Sequence, residues 1–256
     1  MTDTPTFPDL SGASVFITGG GSGIGASLTE GFLRQGARVA FIGRSDASGF
    51  VEEMERATGT APLFVQGDVT DLESLRAAMD AAAAAHGPIT RLVNNAANDD
   101  RHDSLDVDEA FFDACLAVNL KAYFFACQHA IRGMIPGGRG HIVNFSSISY
   151  LMGASGFALY TASNAAITGL TRSLAREFGP QKIRVNALLP GWVLTPRQLE
   201  LWADPESLQA HLDRACLKDH LKPEDIVGPT LFLASEASRM MTGQAMAVDG
   251  GVVVTG

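Results

Sequence analysis

Residues 13–36 read ASVFITGGGSGIGASLTEGFLRQG, and the change of pattern inside that stretch decides the fold. Val15, Phe16 and Ile17 form a β-branched and aromatic run, the composition of a buried strand. Glycines follow at 19, 20, 21, 23 and 25, and Leu28, Phe32 and Leu33 then recur at helical spacing. Glycines between a strand and a helix let the backbone approach a pyrophosphate closely, and the helix N-terminus turns its free N–H groups toward the anion. The spacing Thr-Gly-x-x-x-Gly-x-Gly gives a longer turn than Gly-x-Gly-x-x-Gly.

Outward from that unit, strand and helix patterns alternate to the end of the chain without a linker or low-complexity break. Strands are expected over 38–42, 63–66, 89–94, 141–145, 184–188 and 245–248. Helices are expected over 47–57, 72–85, 109–134 (interrupted near Asn119), 159–178, 198–215 and 224–234. Parallel strands need crossover helices, so the alternation predicts one α/β domain over 1–256 with a seven-stranded, mainly parallel, doubly wound sheet. Ligands of such sheets bind beyond the carboxyl ends of the strands.

Composition narrows the function. The 256 residues carry a net charge of −9, which argues against nucleic-acid or anionic-membrane partners. The polar start MTDTPTFPDL has no signal-peptide pattern, and no apolar stretch stands out as a membrane span. Cys115, Cys127 and Cys216 have no metal-ligand spacing, so reduced thiols, no metal and a cytoplasmic address are expected.

The residues after the strands carry chemistry. Arg44 and Ser45 follow the second strand, where an arginine would pair with the 2′-phosphate of NADP and an acid would select NAD. The position therefore favours NADP, with NAD the alternative. A surface arginine at a strand end is the plain structural reading. Asp68 and Val69 follow the third strand and are placed to hold adenine, although an aspartate before Thr70 equally caps a turn. Asn95, Ala96 and Ala97 follow the fourth strand, and small residues there permit close backbone contact with a cofactor. Ser147 follows the fifth, with Tyr160 thirteen residues on. A serine hydroxyl and a phenol converging on one oxygen can polarise a carbonyl or deprotonate an alcohol. Taken singly, each is more often structural.

Together, Thr18 to Gly25 (with Gly19, Ser22, Gly23 and Ile24), Asn94 to Ala97, Asn119, Ser147, Tyr160 and Pro190-Gly191-x-Val193-x-Thr195 resemble the short-chain dehydrogenase/reductase family over essentially the whole chain. The resemblance implies a Rossmann-type domain with Tyr160 as acid/base and Ser147 fixing the substrate oxygen. It also implies Asn119 supporting a relay water, Pro190 to Thr195 covering the nicotinamide, and a homotetramer joined partly through the tyrosine-bearing helix. One position departs from the family's Tyr-x-x-x-Lys: Asn164 stands where the lysine should be. Asparagine can hydrogen-bond a ribose hydroxyl but supplies no charge, and Lys121 and Lys182 lie on other elements. Impaired activity is expected.

Asn95 to His102, Pro190 to Gln198 and Cys216 to Lys218 are similar to bacterial sugar dehydrogenases of the D-xylose type, which oxidise an aldopyranose at C1 to a lactone. Asn98, Asp100, Arg101, His102, Arg197 and Gln198 are the expected polar partners of a small-molecule polyol. Trp192 or Tyr150 is placed to cover a ring face, within a substrate-covering region of about 190–222. A solvated loop at 99–103 is the plain alternative. A reductase of ketones or 3-oxoacyl substrates would share the catalytic residues but should carry an apolar substrate loop. A nucleotide-binding sensor of little activity is the alternative that Asn164 favours.

Overall fold

In a computed structural model, which describes residues 4–254, the chain forms one seven-stranded sheet with helices on both faces. The strands are β1 (Ser14–Thr18), β2 (Arg38–Gly43), β3 (Leu63–Gln66), β4 (Arg91–Asn94), β5 (Gly140–Phe145), β6 (Ile183–Pro190) and β7 (Ala245–Val248). Their spatial order is β3-β2-β1-β4-β5-β6-β7, and every pairing is parallel. The winding reverses between β1 and β4, so the crevice of this fold opens above their carboxyl ends.

The helices are α1 (Gly23–Arg34), α2 (Ser48–Thr58), α3 (Leu72–His86), α4 (Glu109–Leu116), α5 (Ala122–Met134), α6 (Ser149–Met152), α7 (Ala158–Phe178), α8 (Pro196–Leu201), α9 (Pro205–Arg214) and α10 (Pro223–Ala234). Successive strand residues face opposite ways. Phe16 of β1 therefore packs toward α3 and α5, while Val15 and Ile17 pack toward α1 and α10. Covering both faces explains why the central strands are apolar runs rather than alternating ones.

Three expectations need correction. The helix expected over 198–215 is two helices: Asp204 accepts from the backbone N–H groups of Glu206 and Ser207, and Pro205 opens α9. A capping carboxylate followed by proline at N1 starts a new helix. The fourth strand begins at Arg91 rather than Ile89. Within the helical run Glu109–Gly137 an 18-residue window has a mean hydropathy of 1.4, long and apolar enough by length and composition alone to cross a membrane, which the sequence reading does not single out. Here Ala126, Cys127, Ala130, Ile131 and Met134 on its inner face join the core beside the sheet. The interruption expected near Asn119 is a π turn, Ala117–Lys121, between α4 and α5.

Candidate functional site

The glycine turn is built for close approach. Gly19 has φ +70°, and a Cβ at Gly25 would lie 1.9 Å from the Gly19 carbonyl oxygen, so a side chain at Gly25 would close the turn. Ser22 caps α1 without a side-chain hydrogen bond, and the first turn of α1 holds no acid. The open N–H groups there fit a pyrophosphate. Thr18 Oγ1 accepts from the backbone N–H of Asn95 and of Ala96 at 3.0 and 3.1 Å, while the Asn95 amide donates to the carbonyls of Thr18 and Gly19. These bonds tie the end of β4 to the end of β1. A dinucleotide therefore fits the cradle.

Along the nucleotide end, Arg44 and Ser45 are exposed after β2, and Val69 is buried. The Asp68 carboxylate accepts from the N–H and hydroxyl of Thr70, both at 2.8 Å, so it caps its turn.

Beyond the turn lies a cavity of about 550 Å³. Ser147 enters from the end of β5, its Oγ accepting the Ser149 N–H at 3.1 Å. Tyr160 and Asn164 project from α7 one turn apart, a spacing that puts both on one helix face. Ser146 fixes that face by donating to the Asn164 carbonyl at 2.8 Å. Asn119 enters from the π turn; its amide accepts the Asn98 N–H at 2.8 Å and donates to the Asn98 carbonyl at 2.9 Å. A π turn swings one side chain off the helix register, and here it points Asn119 at the substrate loop.

Burial pushes the Tyr160 phenol above its ordinary value of 10, and the charge of Asp99 adds to the rise. Hydrogen bonds with Ser147 and Asn164, and the charge of Arg101, act the other way. Asn164 is itself buried, and its Nδ2 donates to the Tyr160 carbonyl at 2.8 Å, so the side chain folds back on its own helix. Lys121 and Lys182 are both exposed and outside the cavity wall.

Of the remaining expected residues, Ile24, Ala97, Arg101, Pro190, Gly191, Trp192, Val193, Thr195 and Gln198 line the cavity. Asn98, Asp100, His102, Tyr150 and Arg197 do not; their polar atoms mostly hold the loops. Asn98 and Asp100 bond to each other, and Arg197 donates to Asp100 at 2.6 Å. His102 accepts the Leu159 N–H at 3.3 Å, and the Tyr150 hydroxyl meets Thr168 at 3.4 Å. The Arg101 guanidinium lies 4.0 Å from the Phe157 ring centre and 5.2 Å from that of Trp202. Asp99, Tyr123, His211 and Arg214, which the sequence does not mark as site residues, also line the cavity. Asp99 lies inside the polar loop 98–102, whereas nothing local in the sequence marks the other three. The wall thus joins a serine–phenol pair to charged and amide groups beside a nucleotide cradle, which suits hydride exchange on a polar alcohol or carbonyl.

Comparison with known proteins agrees. The family model described as enoyl-(acyl carrier protein) reductase matches residues 19–253. The chain is 50% identical over 248 residues to the protein named "Probable galactose dehydrogenase GalD" of Rhizobium meliloti, covering 96% of this chain and 97% of that protein. It is 42% identical to the D-xylose 1-dehydrogenase of Caulobacter vibrioides, covering 96% and 97%. A solved structure from Beutenbergia cavernae, described with NADP bound at low occupancy, superposes with a TM-score of 0.88 at 36% identity, covering 95% and 98%. By its cradle, its serine–tyrosine pair and these relatives, the chain belongs to the short-chain dehydrogenase/reductase family and is an NAD(P)-dependent oxidoreductase.

Proposed function

We propose that this enzyme oxidises an aldose at its anomeric carbon to a lactone, with NADP preferred over NAD. The observation that carries the reading is that Ser147 and Tyr160 share their cavity with Asp99, Arg101 and Gln198, a wall able to hydrogen-bond several hydroxyls. The galactose and xylose dehydrogenases among the relatives support it. When bound, the nicotinamide supplies the hydride acceptor. Tyr160 takes the proton of the anomeric hydroxyl, and Ser147 holds the same oxygen by a hydrogen bond. Asn119 keeps the Asn98 backbone in place and supports the proton's way out. Trp192 is held by a bond from its Nε1 to Gln198 at 2.9 Å and offers a flat apolar wall to the sugar. Residues 190–222 form the covering region.

Asn164 slows this chemistry because it gives Tyr160 a hydrogen bond but no positive charge. It also favours a second reading, a nucleotide-binding protein of little turnover. Arg44 carries the NADP preference, since it stands exposed where the 2′-phosphate would lie. The expected assembly is a homotetramer and the expected address is the cytoplasm; light scattering and fractionation test them.

The decisive experiment is a panel of aldoses and small apolar alcohols with each cofactor, read by lactone formation, for the natural chain and Asn164→Lys. Aldose turnover that rises in the variant supports the proposal. Turnover confined to the apolar alcohols, followed by reduction of the cofactor, would sink it. Tight cofactor binding with no turnover in either protein would favour the second reading.

A further inference from the structure

The opposite end of the sheet, below the amino ends of the strands, holds a second cavity of about 530 Å³. Its wall includes Arg38, Arg91, Arg139 and His86, against the single carboxylate of Asp9. Asp9 is already engaged: it pairs with Arg91 at 3.2 Å and accepts the Glu236 N–H at 3.0 Å. Among the described residues neither Arg38 nor Arg139 pairs with a carboxylate; Arg38 donates twice to the Gly12 carbonyl at 3.1 and 2.8 Å.

Two helix C-terminal ends, those of α3 and α5, face the same region. Each carries about half a negative charge, so together they cancel about one of the three guanidinium charges. Asp9 cancels another. Behind the wall, the charges of Glu236 and Arg184 offset each other in the count, Glu236 acting on both Arg184 and Arg91. A surplus of roughly one positive charge is left in a concave space.

The wall also holds an incompletely satisfied arginine. The Arg91 side chain is only 4% exposed, and its Nε is buried with no hydrogen-bond partner, although Nη1 and Nη2 are engaged. His86 Nδ1 lacks a partner as well. An unpaired buried donor is costly, and native proteins satisfy nearly all of them. A cavity lined by guanidinium groups, two of them without a carboxylate partner, suits an oxyanion, because guanidinium matches phosphate oxygens in charge and fork geometry.

We propose that this cavity is an anion site that takes a phosphate group, free or carried by a small metabolite, at the end of the sheet opposite the hydride chemistry. The site is separate from the nucleotide cradle, which lies above the carboxyl ends of the same strands.

The test uses the full chain in saturating NADP, so that the cradle and the Arg44 side are filled. Inorganic phosphate and glucose 6-phosphate are titrated calorimetrically against chloride at matched ionic strength. One saturable site is expected to persist, to shift the His86 ring resonances, and to weaken roughly tenfold or more in Arg139→Glu, the factor for a lost charged hydrogen bond. Arg38→Gln should weaken it as well, with unchanged circular dichroism in both variants. Tighter glucose 6-phosphate would identify a phosphorylated metabolite as the occupant, and equal affinity would identify phosphate itself. Binding that NADP abolishes, that leaves His86 unmoved or ignores both substitutions, or no saturable binding in the millimolar range, overturns the proposal.

Discussion

Asn164 separates Tyr160 from a lysine-supported phenol because an amide donates a hydrogen bond without moving charge. The phenol is already raised by burial and by Asp99, so little phenolate is present at neutral pH. Oxidation needs the phenolate as base, and activity should therefore climb as pH rises toward the phenol's value. Asn164→Lys should raise kcat at neutral pH roughly ten- to hundredfold, the range a nearby opposite charge commands, and move the pH–rate limb to lower pH. Tyr160→Phe should remove activity in both backgrounds. Fast turnover at neutral pH in the natural chain, unchanged by lysine, would mean another group activates Tyr160. Asp99→Asn tests the same electrostatics from the other side: removing a negative neighbour should also shift the limb downward. An unmoved limb would show that Asp99 acts only through its loop contacts, the 2.6 Å bond from Gln198 and the 3.7 Å approach of Arg197. Arg44→Ala should narrow the gap between NADP and NAD affinity, measured by direct titration, because only the 2′-phosphate needs the guanidinium. If NAD already binds more tightly to the natural chain, Arg44 does not read the ribose.

Loop 98–102 and α8 act as one element, stitched by Arg197 to Asp100, Gln198 to Asp99 and Trp192 to Gln198. The stitches assign different roles to two arginines that look alike in the sequence. Arg101 lines the cavity and stacks on Phe157, so Arg101→Ala should raise the KM for an aldose several-fold more than for a small apolar alcohol. Arg197 is half-exposed and touches only the loop acids, so Arg197→Ala should change KM for either substrate less than about fivefold, as expected for a surface pair worth under about 1 kcal/mol. Paired steady-state measurements on both variants decide this, and an Arg197 effect larger than that of Arg101 would refute the assignment. Sequence periodicity located this region but not its internal division. Apolar spacing marked β3 and β7 at their observed ends and put α7 within one residue, because alternate side chains of the two strands pack partly buried on opposite faces of the sheet and α7 buries one helical face. The gap between α8 and α9 depends on one cap and one proline, which a continuous helical pattern hides. Likewise Ser147, Tyr160 and Asn119 were legible through family spacing, whereas His211 and Arg214 reach the cavity only because α9 folds over it.

At the scale of the whole molecule, charge is buried at the amino end of the sheet as well as used at the carboxyl end. His141 on β5 is 3% exposed, and its Nδ1 faces an Arg184 guanidinium N–H, with Nε2 at 3.2 Å from Glu236. A ring nitrogen that accepts from arginine must be unprotonated, so His141 is neutral in the fold. Burial, then the charges of Arg91, Arg184 and Arg139, hold its pKa down at about 2, against an ordinary 6.5. Between those values the unfolded chain carries one proton more than the folded chain, so stability rises with pH and is lost on acidification below about 6.5. The loss is at most about 1.4 kcal/mol per pH unit from this ring. His86 and His211 are also lowered by burial and act in the same direction. Urea unfolding at pH 6.5 and pH 5 should therefore show a marked fall in stability. His141→Gln, whose carbonyl can still accept from Arg184, should flatten that fall over a window where few carboxylates titrate. An equal fall in the variant would mean that His141 already shares its proton with Glu236 in the folded state, and that the buried arginines do not keep it neutral.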